Sequence, residues 1–113
     1  EGYIRLYQGS STTKGGSYLR VRSKNGAHIL SVTIGSATAT KIAYTVNQRP
    51  STQSATSPLA AGEKYTVTPA AGCTEVCFIC MGTTQSERME VNYLSVKYQG
   101  GFVEDDFYEA PAE

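Results

Sequence analysis

Short runs in which apolar and polar residues alternate recur along the chain, separated by Gly, Ser, Thr, Asn and Pro. A period of two sends alternate side chains to opposite faces of a strand. Tyr3-Ile4-Arg5-Leu6-Tyr7 puts Ile4 and Leu6 on one face, and a polar Ser/Thr/Gly loop follows from Gln8 to Ser17. Tyr18-Leu19-Arg20-Val21-Arg22 places Leu19 and Val21 inward, with Tyr18, Arg20 and Arg22 outward. Lys24-Asn25-Gly26 carries an Asn-Gly turn signal, since both residues tolerate positive φ. A strand over 27–34 turns Leu30, Val32 and Ile34 inward, and one over 41–47 alternates Ile42, Tyr44 and Val46 with small or polar partners.

Residues 48–62 form the longest predicted loop, rich in Ser, Thr, Pro and Ala. A short strand over 64–68 has Tyr65 and Val67 inward. The run Val76-Cys77-Phe78-Ile79-Cys80-Met81 is apolar at every position, as expected of a strand covered on both faces. The last run, 87–98, changes phase: Met89, Val91 and Tyr93 share one face, and Leu94, Val96 and Tyr98 share the other. A β-bulge near Tyr93-Leu94 brings both sets to the core, because one extra residue resets the alternation. The alternative is a strand that meets the core first with one face and then with the other.

Seven strands at this spacing predict an all-β chain. The expected fold is a two-sheet antiparallel β-sandwich of jelly-roll-like topology, with an immunoglobulin-like topology as the alternative. The 113 residues fit one domain. Residues 1–99 make the sandwich, and 100–113 make an acidic C-terminal tail or linker in which Phe102, Phe107 and Tyr108 are candidate anchors.

Thirteen Thr, eleven Ser and eleven Gly make up about a third of the chain, and eight Tyr suit pleated, half-buried surfaces. The net charge is zero, but its parts are segregated. Residues 2–103 carry ten positive and four negative charges, a net of +6, whereas 104–113 hold five acids and no base. A basic body steers acidic partners, and it also keeps sheet faces and edges soluble. No apolar run reaches 18 residues, so no membrane span is predicted. No signal peptide is visible, and the chain opens at Glu1 as a mature or trimmed protein does. The Ser/Thr/Gly/Tyr-rich style predicts a secreted or cell-surface location.

Residues that could carry chemistry are few. His28 is the only histidine and lies beside a turn, and no Asp precedes Asp105. A triad would need His28 with an acid from Glu63, Glu75, Glu87 or Glu90, and none of these has a supporting motif. Glu87 and Glu90 are an odd number of positions apart, which in a regular strand points them to opposite faces and not at one glycosidic bond. Cys73, Cys77 and Cys80 have no standard zinc spacing. Cys77 and Cys80 point to opposite sides of one strand and are read as small buried hydrophobes. Gly15-Gly16 and Gly100-Gly101 lack the Lys-Ser/Thr of a phosphate loop. No catalytic residue, cofactor or metal is therefore predicted.

The order of segments resembles jelly-roll accessory modules of secreted and surface proteins of gut Bacteroidetes. The resemblance rests on Ile4-Arg5-Leu6-Tyr7, Tyr18-Leu19-Arg20-Val21, Asn25-Gly26 and Ile29-Leu30-Ser31-Val32-Thr33-Ile34. It continues through Gly62-Glu63-Lys64-Tyr65-Thr66-Val67, Glu75-Val76-Cys77-Phe78 and the close Arg88 to Tyr98. It implies a non-catalytic module, similar to carbohydrate-binding modules and adhesion domains, that accompanies a catalytic or anchoring domain. The chain departs from many sugar-binding faces in having no Trp.

Basic residues interleaved with tyrosines can stack on and hydrogen-bond a ligand, and Tyr18, Arg20, Arg22, Tyr44 and Arg49 are the candidate ligand-binding residues. A glycan is the expected partner, and nucleic acid is the less favoured one. The rival expectation is a structural or adhesion spacer that contacts a protein partner or an adjacent domain of the same chain and holds no small ligand.

Overall fold

The computed structural model describes residues 4–11, 15–48 and 56–100, together with the backbone of 103–104. Among these residues nine strands follow in order: β1 (Ile4–Leu6), β2 (Tyr18–Arg22), β3 (Ile29–Ser36), β4 (Thr40–Val46), β5 (Ser57–Leu59), β6 (Lys64–Val67), β7 (Glu75–Cys80), β8 (Met89–Tyr98) and β9 (Val103–Glu104). One 3₁₀ turn, Gln85–Glu87, leads into β8. Among the described residues no helix is long and apolar enough to cross a membrane. Seven of the strands lie where alternation predicts them. β5 sits inside the predicted long loop, and β9 sits in the tail. Both are too short to show a period, and β5 carries Pro58, which suits an edge strand.

One sheet has the order β1–β8–β3–β6, with β9 beside β8, and the other has the order β2–β7–β4–β5. Every pairing is antiparallel. The partners β1–β8, β2–β7, β3–β6 and β4–β5 are those of one long hairpin, bent between β4 and β5 and rolled into two sheets. That is a jelly roll. The immunoglobulin order, which sets strands ABED against CFG, is not adopted.

Between the sheets, Leu19, Val21, Ile42, Val76 and Phe78 meet Val32, Ile34, Met89, Val91 and Val96, all fully buried. Each such side chain contributes about 1.5–3 kcal/mol on burial. β7 is buried on both faces: Val76, Phe78 and Cys80 join this core, whereas Cys77 and Ile79 join a second cluster with Tyr18, Ala43 and Met81 on the outer side.

The phase change in β8 is a bulge. Ser36 pairs with Val91 and Gly35 with Tyr93, so Asn92 is the extra residue. Met89 and Val91 before it, and Leu94, Val96 and Tyr98 after it, all face the core. The bulge lies one residue earlier than predicted, and Tyr93 consequently points outward. Gly35, between Lys64 and Tyr93 in register, has no side chain, and the Lys64 ammonium sits 4.7 Å over the Tyr93 ring.

A second register shift, between Ile29 and Ser31, turns Ile29 inward and leaves the predicted core residue Leu30 exposed. The Asn25-Gly26 signal closes no hairpin, because β2 and β3 belong to different sheets, and only Gly26 of the two has positive φ. Phe102, Phe107 and Tyr108 lie outside the described residues.

A polar pocket at one loop end

The five sequence-predicted ligand residues do not share a surface. Tyr18, Arg20 and Arg22 do project together from β2 onto the outer face of their sheet. Tyr18 is only 2% exposed, however, packed with Ile79, Ala43 and Met81. The loop before β2 lies on that face: a side chain on Gly15 would meet Ile79 at 2.3 Å. Alternation gives the direction of Tyr18 correctly but cannot show that a loop covers it. Arg20 Nε lies 3.3 Å from Glu75 Oε2, an ion contact without hydrogen-bond alignment, and Arg22 is exposed opposite Glu75. Tyr44 shares the inner face with Ile42 and Val46, where it meets Tyr65 at the mouth of the sandwich. Arg49 lies outside the described residues.

A different set of residues converges where the β1–β2, β3–β4 and β7–β8 connections meet. Arg5 on β1 pairs in register with Glu90 on β8, and Arg5 Nη2 donates to Glu90 Oε2 at 2.9 Å. Arg88, two residues before Glu90, donates from Nε to Gln8 Oε1 at 2.7 Å. Its guanidinium carbon lies 4.7 Å from the centre of the Tyr7 ring. Arg5, Thr38, Gln85, Ser86, Arg88 and Glu90 line a pocket of about 240 Å³. Every lining side chain is polar, and beside them Tyr7 is 47% exposed.

Hydroxyls beneath the pocket fix its walls. Thr38 Oγ1 donates to the Arg88 carbonyl at 2.6 Å, and Thr40 Oγ1 donates to the Glu87 carbonyl at 2.6 Å. Ser36 Oγ donates to the Thr38 carbonyl and accepts from the Glu90 amide. The Gly82 carbonyl accepts from the Gly9 amide at 2.8 Å, which joins the β1–β2 loop to the β7–β8 loop. Gly82 also passes so close to Glu87 that an added Cβ would stand 2.6 Å from the Glu87 carbonyl oxygen. The Glu87 carboxylate accepts from the Thr83 amide at 2.8 Å and pairs with Lys41 at 3.4 Å. The Thr83 bond first, and Lys41 next, hold its pKa below the ordinary glutamate value.

At the opposite end, His28, Leu30, Pro69, Ala70, Ala71 and Gln99 border a second, mainly apolar hollow of about 350 Å³. His28 is exposed there, and its carbonyl accepts from the Gln99 amide. Cys73, Cys77 and Cys80 are buried free thiols, and burial raises the pKa of Cys73 and Cys77. Among the described residues no three His, Cys, Asp or Glu side chains cluster as a metal site.

Sequence reading misses the polar pocket because its residues come from three separate segments. The one local signal is that Arg88 and Glu90 alternate with the inward Met89 and Val91, as Arg5 does with Ile4 and Leu6. Comparison of the chain with protein families, with curated proteins and with solved structures gives no match.

Proposed function

We propose that this chain is a non-catalytic accessory module of a secreted or surface protein, that it binds carbohydrate weakly, and that the polar pocket is its site. The observation that carries the reading is the pocket lining: two guanidiniums, a carboxylate, an amide and two hydroxyls around a hollow the size of a sugar residue. Sugar hydroxyls are recognised by such planar, multiply bonding groups, and fixed hydrogen-bond partners reject analogues that leave them unpaired. The jelly roll is compatible with this but does not argue it, because one fold hosts many functions. The resemblance to jelly-roll accessory modules of Bacteroidetes supports the same reading.

A glycan array probed with the intact chain and with Arg88→Ala tests it. Binding that the folded variant loses is the expected result. Silence of the folded wild-type chain across the array sinks the reading.

The second reading is a structural or adhesion spacer, favoured by the apolar hollow around Leu30, Pro69 and Ala70, which lies beside Gln99 where the chain leaves β8. Apolar side chains of a neighbouring domain or protein would fill it. Loss of a protein contact on Leu30→Asp, with glycan binding unchanged, would separate the two.

A further inference from the structure

Two arginines line the polar pocket, and they are not equivalent. Arg5 is matched by Glu90, with an Nη2–Oε2 distance of 2.9 Å. Arg88 has no carboxylate in ion-pair distance among the described residues. Its Nε is occupied by the Gln8 carboxamide and its flat face by the Tyr7 ring. Both contacts hold the guanidinium in one orientation, and neither uses its two Nη groups. The backbone on which Arg88 stands is itself pinned, by Thr38 Oγ1 on its carbonyl and by the Arg88 amide on the Gln85 carbonyl. A guanidinium fixed before binding loses little side-chain freedom when a ligand arrives. Its remaining donors form a fork that suits a planar, two-oxygen acceptor.

We infer that the pocket selects an acidic sugar, and that Arg88 receives the carboxylate of a hexuronic acid residue. This rests on the carbohydrate reading above and names its substrate class. With Glu90 matched to Arg5, Arg88 leaves the pocket with one uncompensated positive charge. Gln85, Ser86 and Thr38 supply the neutral donors and acceptors that hydroxyls require. Residues 2–103 carry a net charge of +6, of the sign that attracts a polyanionic glycan, and the compensating acids are Glu1 and those of residues 104–113. Tyr7 and Gln8 act as positioning residues, holding Arg88 without touching the sugar.

The test is calorimetric titration of the full chain with oligosaccharides of glucuronic, galacturonic and mannuronic acid, with their methyl esters, and with a sulfated neutral oligosaccharide. The expected result is that at least one acid binds at least tenfold more tightly than its ester, which keeps the ring and removes the charge. Arg88→Gln then brings the acid down towards the affinity of its ester, so that the preference for the acid is lost. Tyr7→Leu weakens the acid several-fold, and Tyr7→Phe restores it, because the ring face holds the guanidinium and the hydroxyl does not. Equal affinity for acid and ester, or an acid titration unmoved by Arg88→Gln, overturns the assignment while carbohydrate binding stands. Preference for the sulfated sugar overturns it in favour of a tetrahedral anion. Array binding confined to neutral glycans also overturns it, whereas silence across the whole array defeats the broader reading too. Each variant's fold is checked by its amide proton spectrum before titration.

Discussion

The rings of Tyr44 and Tyr65 meet with their centres 6.4 Å apart and their planes tilted by 56°, one from each sheet of the sandwich. Tyr44 is on the inner side of β4, beyond the stretch Thr40–Ile42 that pairs with β5. It is 39% exposed, and its ring closes on Tyr65 across the two sheets. Tilted aromatic pairs contribute about 0.5–1.5 kcal/mol beyond the area they bury. A double-mutant cycle with Tyr44→Ala and Tyr65→Ala should therefore show coupling of about that size in urea unfolding, with glycan binding unaffected by either change. Strict additivity of the two would contradict the packing described.

Gly82→Ala should destabilise the chain by about 1–3 kcal/mol, the range for forced overpacking. The obstacle is backbone, since the new methyl would press on the Glu87 carbonyl, and the β7–β8 loop must shift to admit it. Urea denaturation reads the loss, and a neutral result would mean that the loop yields freely.

Asn47 ends β4 with φ 57°, the only non-glycine residue with positive φ among those described. Its Oδ1 accepts from the Thr74 and Glu75 amides at 2.9 and 3.2 Å, and its Nδ2 donates to the Gly72 carbonyl at 3.2 Å. Asn47→Ala forfeits these bonds and strains the backbone, at a cost of about 2–4 kcal/mol. Asn47→Gly forfeits the bonds alone, so thermal unfolding should rank it between alanine and wild type.

Glu87 links stability to acid. Its carboxylate is held below the ordinary glutamate pKa by the Thr83 amide and by Lys41, so the folded state binds its proton less readily than the unfolded state does. The stabilisation is present in full above the ordinary glutamate pKa and is lost as pH falls through the lowered one. Glu87→Gln should flatten the acid limb of the stability profile, measured as the urea midpoint against pH. An unchanged limb would show that the contact contributes nothing.

The three thiols should be silent to a disulfide reagent at neutral pH until the chain unfolds, because each is buried and burial keeps Cys73 and Cys77 protonated. The favoured protonated thiols stabilise the fold at pH below their unfolded pKa, and this contribution fades as pH rises through the raised values. Prompt reaction of one thiol in the native chain would contradict its burial.

Alternation along the chain is enough to place seven strands, to assign Leu19, Val21, Val32, Ile34 and Val67 to the core, and to give β7 two buried faces. It also shows the change of phase in β8 and leaves two readings of it, a bulge or a change of the face that meets the core. The pairing of Gly35 with Tyr93 and Ser36 with Val91 decides for the bulge. The strands, the core assignments and the change of phase are local facts, fixed by the two-residue period of a strand. They reach as far as the direction in which a side chain leaves the backbone.

Partnership and exposure are non-local, and only the tertiary structure decides them. The three residues of β5 find their place by pairing with β4, and no period of their own announces them. Tyr18 leaves β2 outward as alternation requires, but a loop that returns across the sheet buries it. Tyr44 faces the opposite way from Arg20 because β4 enters its sheet in that register. Arg5 meets Glu90, and Arg88 meets Tyr7, only because the first and last long strands of a rolled hairpin lie side by side. Rolling carries each half of the chain onto the other, and so the pocket assembles from residues that periodicity cannot connect.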